Sequence, residues 1–78
     1  MKYITKLKLA AVHQLCDAED KSTEYMLHIM QDTCDVDLNC CISYMNLSEN
    51  EHSELFKEVL MITEVFIRLD KGCNNEQQ

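Results

Sequence analysis

The side chains with the widest chemical reach in this 78-residue sequence are its five cysteines and three histidines. Cys16, Cys34, Cys40, Cys41 and Cys73 supply thiols, and His13, His28 and His52 supply imidazoles, the ligand types that zinc prefers. His13 and Cys16 stand three residues apart, a step that puts both on one side of a helix, and Cys34, Cys40 and Cys41 extend the set. A metal- or redox-responsive protein would use these five residues, His13, Cys16, Cys34, Cys40 and Cys41. Zinc sites that are recognisable in sequence pair their ligands in CxxC and HxxxH steps, and the chain has neither. Cysteine also packs as a small hydrophobe, so the expectation is thiols in a core, with no metal and no cofactor. An odd cysteine count with Cys40 beside Cys41 matches no disulfide framework, which points to a reducing, cytoplasmic compartment.

Two further constellations fail on particular residues. Asp35-Val36-Asp37-Leu38-Asn39 opens like a calcium-binding helix–loop–helix, but the loop's sixth position is Cys40 instead of glycine and its twelfth is Asn46 instead of glutamate. Nucleophilic catalysis needs a nucleophile, a base and an orienting group around a cleft. His28 and His52 have no nucleophile beside them, and a chain this short can hardly enclose a dry pocket, so no catalytic residue is expected. Met26, Met30, Met45 and Met61, with Tyr25 and Tyr44, would suit a soft binding face, although methionine at helical spacing is more often core.

The elements that must position these residues are helices. One glycine, no proline and no tryptophan leave β-turns and phosphate-binding loops without their residue types. In a first helix, residues 3–16, one face carries Tyr3, Ile4, Leu7, Ala10, Ala11 and Leu15, with Lys2, Lys6, His13 and Asp17 opposite. Leu9, Val12 and Cys16 form a second, narrower apolar strip, so this helix calls for two neighbours. Asp20 or Ser22 can cap a second helix over 22–46, whose seam runs Leu27, Met30, Cys34, Leu38, Cys41 and Met45. The poor helix formers from Asp32 to Asp37 are its weak point. In Ser48-Glu49-Asn50-Glu51, a capping box starts a third helix over 49–71, with Leu55, Val59, Ile62, Phe66 and Leu69 spaced 4, 3, 4, 3. Gly72 is placed to end it, leaving residues 73–78 as a disordered tail.

These elements predict an all-α fold, a single domain over residues 1–72 built as a small antiparallel three-helix bundle. Because a core of this size is marginal, a homodimer through the first or the third helix would complete or extend it, and the stripe Leu55, Val59, Ile62, Phe66 and Leu69 is either that dimer's seam or the bundle's own core. Met1–Lys8 begins like a signal peptide, but Lys6 and Lys8 interrupt the apolar run, and no stretch reaches the roughly 18–20 apolar residues that span a bilayer.

Charge narrows the function. The formal net charge is −7, and it is unevenly spread: residues 1–16 carry +3 and residues 17–64 carry −10. Phosphate backbones repel such a chain, so direct binding of nucleic acid is not expected, whereas a partner with a basic surface is its electrostatic complement. Two acidic groups are candidate partner-binding residues: Glu51, Glu54 and Glu58, which share a helix side at i, i+3, i+7, and Asp32, Asp35 and Asp37. The bland role for both is a solvated surface. In size and acidity the chain resembles small inhibitor and adaptor proteins of phages and mobile elements. That resemblance implies a non-enzymatic regulatory protein that masks a basic, nucleic-acid-binding surface of a larger partner. The alternatives are the Cys/His protein described above and a structural subunit of a larger complex.

Overall fold

The computed structural model describes the backbone of residues 1–76 and the side chains of residues 1–70. The described residues form four helices and no strand: α1 Tyr3–Ala18, α2 Thr23–Cys34, α3 Leu38–Met45 and α4 Glu49–Glu76. The fold is all-α, as its composition predicts, but the expected single helix over 22–46 is two helices. Asp35 takes a left-handed conformation (φ 53°, ψ 50°) after Cys34, and Asp37 then caps α3 by accepting the Cys40 N–H at 2.8 Å. Aspartate tolerates this region better than most residues because its short side chain bonds locally. The calcium-loop look-alike is therefore helix punctuation.

The other junctions follow the same chemistry. Asp20 is also left-handed (φ 57°), and the Lys21 N–H bonds the Cys16 carbonyl at 2.9 Å, the wrap that closes α1. Ser22 caps α2 by accepting the Tyr25 N–H, and Ser48 does the same for Glu51 at the start of α4. Glu51 returns to the Ser48 hydroxyl, which donates to its carboxylate at 3.2 Å, a variant of the expected capping box. At the far end the backbone of α4 runs past Gly72 to Glu76. Gln77 and Gln78 lie outside the described residues.

α1 is the hub and packs against α2, α3 and α4. Its two apolar strips explain this, though their ranks are reversed from expectation. Leu9, Val12 and Cys16, the narrow strip, are buried together with Leu7 and Ala10, while Tyr3, Ile4 and Leu15 at the edges of the broad face are exposed. Met26, Met30, Cys34, Cys41, Tyr44 and Leu55 complete the core. At 28 residues, α4 spans about 42 Å at 1.5 Å per residue, close to the 47 Å long axis of a molecule only 23 Å wide. The smaller helices therefore cover only part of it. Among the described residues no helix is long and apolar enough to cross a membrane.

Candidate interaction surface

α4 divides at Val59. Before it, Leu55 is buried and Phe56 and Val59 pack half-buried against the core. From Leu60 to Asp70 every side chain is exposed. Leu60, Met61, Ile62, Val65, Phe66, Ile67 and Leu69 stand 40–67% in solvent. The proposed stripe is thus split: Leu55 and Val59 belong to the core, while Ile62, Phe66 and Leu69 are bare. A helix apolar around most of its circumference normally has neighbours on several sides.

Two adjoining grooves lie along α4. The first, about 340 Å³, is lined by Glu51, Glu54 and Glu58 with Asn50 and Leu55 of α4, by Leu47, and by Tyr3 and Lys6 of α1. The second, about 310 Å³, is lined by Glu58, Met61, Ile62, Val65 and Phe66. Glu58 belongs to both. The helical repeat makes them continuous, because Glu51, Glu54, Glu58, Ile62, Val65 and Leu69 succeed one another at steps of three or four. One side of α4 therefore changes from carboxylate to hydrocarbon at Glu58. The Glu58 carboxylate beside the Tyr3 hydroxyl raises the pKa of that phenol. Lys57 pairs with Glu54 at 3.5 Å across open solvent, a contact worth little.

The second acidic group is elsewhere. Asp32, Asp35 and Asp37 are exposed around the α2–α3 junction. Of the three carboxylates, that of Asp37 caps α3, and the N–H of Cys40 holds it below its usual pKa. Among the described residues α2 and α4 do not pack on each other, so the two groups of acids are not brought together as one surface.

The cysteines and histidines do not converge either. Cys16, Cys34 and Cys41 are core residues, and Cys40 is half-buried at the start of α3. Burial raises the pKa of Cys34 and Cys41, and the Asp37 carboxylate raises that of Cys40, so all three are protonated thiols at neutral pH. The Cys73 side chain lies outside the described residues. Among the described residues, no three His, Cys, Asp or Glu side chains group in a way that could hold a metal ion.

His13 is placed differently from expectation. It turns inward from α1, and its Nδ1 shares a hydrogen bond with the hydroxyl of the fully buried Tyr44 at 2.9 Å. His52 Nε2 donates to the Tyr44 carbonyl at 2.8 Å, and the rings of His13, His52 and Phe56 meet within 5.2–6.2 Å. Burial first, and then the neighbouring His52, lower the His13 pKa, with Asp17 opposing. This cluster fastens the first half of α4 to α1 and α3. Sequence reading missed it because its members come from three helices; the only local signal was His52 and Phe56 one turn apart. Of the methionine and tyrosine set, Met26, Met30 and Tyr44 are core, whereas Tyr25 and Met61 are exposed.

Comparison of the chain with protein-family models, with curated proteins and with solved structures finds no match. The functional reading therefore rests on the side chains themselves.

Proposed function

We propose that this chain is a small acidic, non-enzymatic regulatory protein that acts by docking α4 onto a larger protein partner and covering a basic, nucleic-acid-binding surface of that partner, in the manner of an inhibitor. The observation that carries this reading is the exposure of seven large apolar side chains on the second half of one helix, next to the carboxylates of Glu51, Glu54 and Glu58. Of these, Met61, Ile62, Val65 and Phe66 lie together beside Glu58, and a contiguous apolar surface rimmed by carboxylates is the mark of a protein interaction site. Carboxylates spaced along a helix imitate a track of phosphates, which suits a groove evolved for nucleic acid. His13 and His52 turn inward onto Tyr44, and these side chains serve as packing in this reading.

A second reading, the homodimer, is favoured by the 4, 3, 4, 3 spacing of Leu55, Val59, Ile62, Phe66 and Leu69, three of which are exposed. A structural subunit of a larger complex would use the same surface. Placing a photoreactive benzoylphenylalanine at position 66 of the full chain, in cells of its source, separates these readings. The expected result is an adduct with a larger protein, absent when the probe sits at the exposed position 24 of α2. Adducts of the chain with itself alone would establish the homodimer, and no adduct at position 66 would remove α4 as the contact element.

A further inference from the structure

We infer that the two grooves of α4 together accept a cationic amphipathic helix of the partner, with its positive side chains over Glu51, Glu54 and Glu58 and its apolar ones over Met61, Ile62, Val65 and Phe66. This rests on the interaction reading above and names the chemistry of what docks. Because Glu58 lines both grooves, an occupant of one is led into the other. The distance from Glu51 to Phe66, about 22 Å along the helix axis, is matched by a partner helix of about 15 residues.

Charge selects the partner against a second copy of the chain. The acidic groove is lined by three carboxylates and Lys6, with the apolar Leu47, Leu55 and the Tyr3 ring, and the Lys57 ammonium rests 3.5 Å from Glu54 at its edge, which leaves the site net negative. Arginine or lysine suits such a site, laying its hydrocarbon stem on apolar surface while its head meets carboxylate. In an antiparallel pair of α4 helices centred on residues 61–66, the end of the helix reaching this groove would be residues 70–76, whose charged residues are Asp70, Lys71 and Glu76, a net −1. A parallel pair would set the acidic groove of one copy beside that of the other. Neither arrangement puts net positive charge on Glu51, Glu54 and Glu58.

The form of the occupant follows from the backbone. The described residues contain no strand and so no sheet edge to extend. An amphipathic helix laid along a helix, with anchors at i, i+3, i+4 and i+7, is the recognition mode that this surface offers.

The test uses synthetic helical peptides of about 18 residues, titrated against the intact chain and read by fluorescence anisotropy. The probe carries three arginines at helical spacing in one half and three leucines on the same face of the other half, made in both chain directions. Its control has glutamate in place of arginine. The expected result is that one direction of the probe binds at least about tenfold more tightly than its control and weakens as salt is raised. Combining Glu51→Lys, Glu54→Lys and Glu58→Lys should weaken the probe about a hundredfold. Combining Met61→Gln and Val65→Gln should weaken it about tenfold, with helicity by circular dichroism unchanged in both variants. Equal binding of probe and control, or indifference to the Lys variant, overturns the inference. A dimer by sedimentation that the probe does not dissociate also overturns it, in favour of a second copy. If the probe fails while cross-linking from position 66 still captures a larger protein, the interaction reading survives and the cationic helix does not. If both fail, both fall.

Discussion

The two halves of α4 carry the same kind of pattern and meet different fates. Leu55 and Val59 in the first half and Ile62, Phe66 and Leu69 in the second belong to one 4, 3, 4, 3 series. The first half is clasped by α1 and by the His13–Tyr44–His52–Phe56 cluster, while among the described residues no helix lies against the second from Leu60 to Asp70. The difference teaches that an apolar stripe states a demand for burial and does not say who meets it. In a chain whose hub helix is only 16 residues long, about 24 Å, there is too little structure to cover a helix of 28. The surplus is the surface that the proposed reading assigns to a partner.

The largest effect should separate the halves directly. Leu55→Ala, in the buried half, is expected to cost about 2–4 kcal/mol and to leave so small a domain largely unfolded. Phe66→Ala, a larger truncation on the bare half, should change stability by no more than about 0.5 kcal/mol. Urea unfolding of both variants checks this, and equal losses would erase the distinction.

Next comes the clasp. Tyr44→Phe removes only the hydroxyl bonded to His13, leaving a half-buried ring nitrogen without its partner, and should cost about 1 kcal/mol in the same assay. A cost near zero would mean that ring packing alone holds the first half.

Acid should act on the same cluster. The pKa of His13 lies below the ordinary 6.5 because burial and His52 disfavour its charge. The unfolded chain therefore takes up a proton before the folded one does. His13 thus contributes stability that is complete above the unfolded value and is lost as pH falls from about 6.5 through the lowered folded value. Thermal unfolding at pH 7.5 and pH 5 should show the lower midpoint at pH 5, with a smaller difference in His13→Gln.

The smallest effect concerns the hinge that makes α2 and α3 separate helices. Asp35→Gly relieves a left-handed non-glycine residue and should gain a few tenths of a kcal/mol, whereas Asp35→Val should lose about 1–2 kcal/mol. A valine variant as stable as the parent would show that the break is indifferent to this residue.

Much of the fold was readable from local chemistry. Ser48 caps the helix it was expected to cap, Ser22 is the one that caps α2 of the two residues offered for it, the helical class follows from composition, and the two strips of α1 announced two-sided packing. The break at Asp35 was visible only as weakness, since poor helix formers lower a helix's stability without determining whether tertiary contacts carry it through. At Gly72 the opposite happened: a residue suited to ending a helix lies inside one. The acidic part of the candidate surface was visible as Glu51, Glu54 and Glu58, because i, i+3, i+7 is a local relation. Their continuation into a bare apolar groove was not, because exposure depends on what lies opposite.

The sequence by itself determined the helical periodicity, the caps, the acidic balance and the excess of apolar side chains, all properties of residues near one another along the chain. Only the tertiary structure decided which of those side chains are covered. It buried Tyr44 with His13 and His52, and it left Leu60 to Leu69 open beside the carboxylates of α4. The physical reason is that burial is a relation between distant segments, and the short helices of this chain end before α4 does.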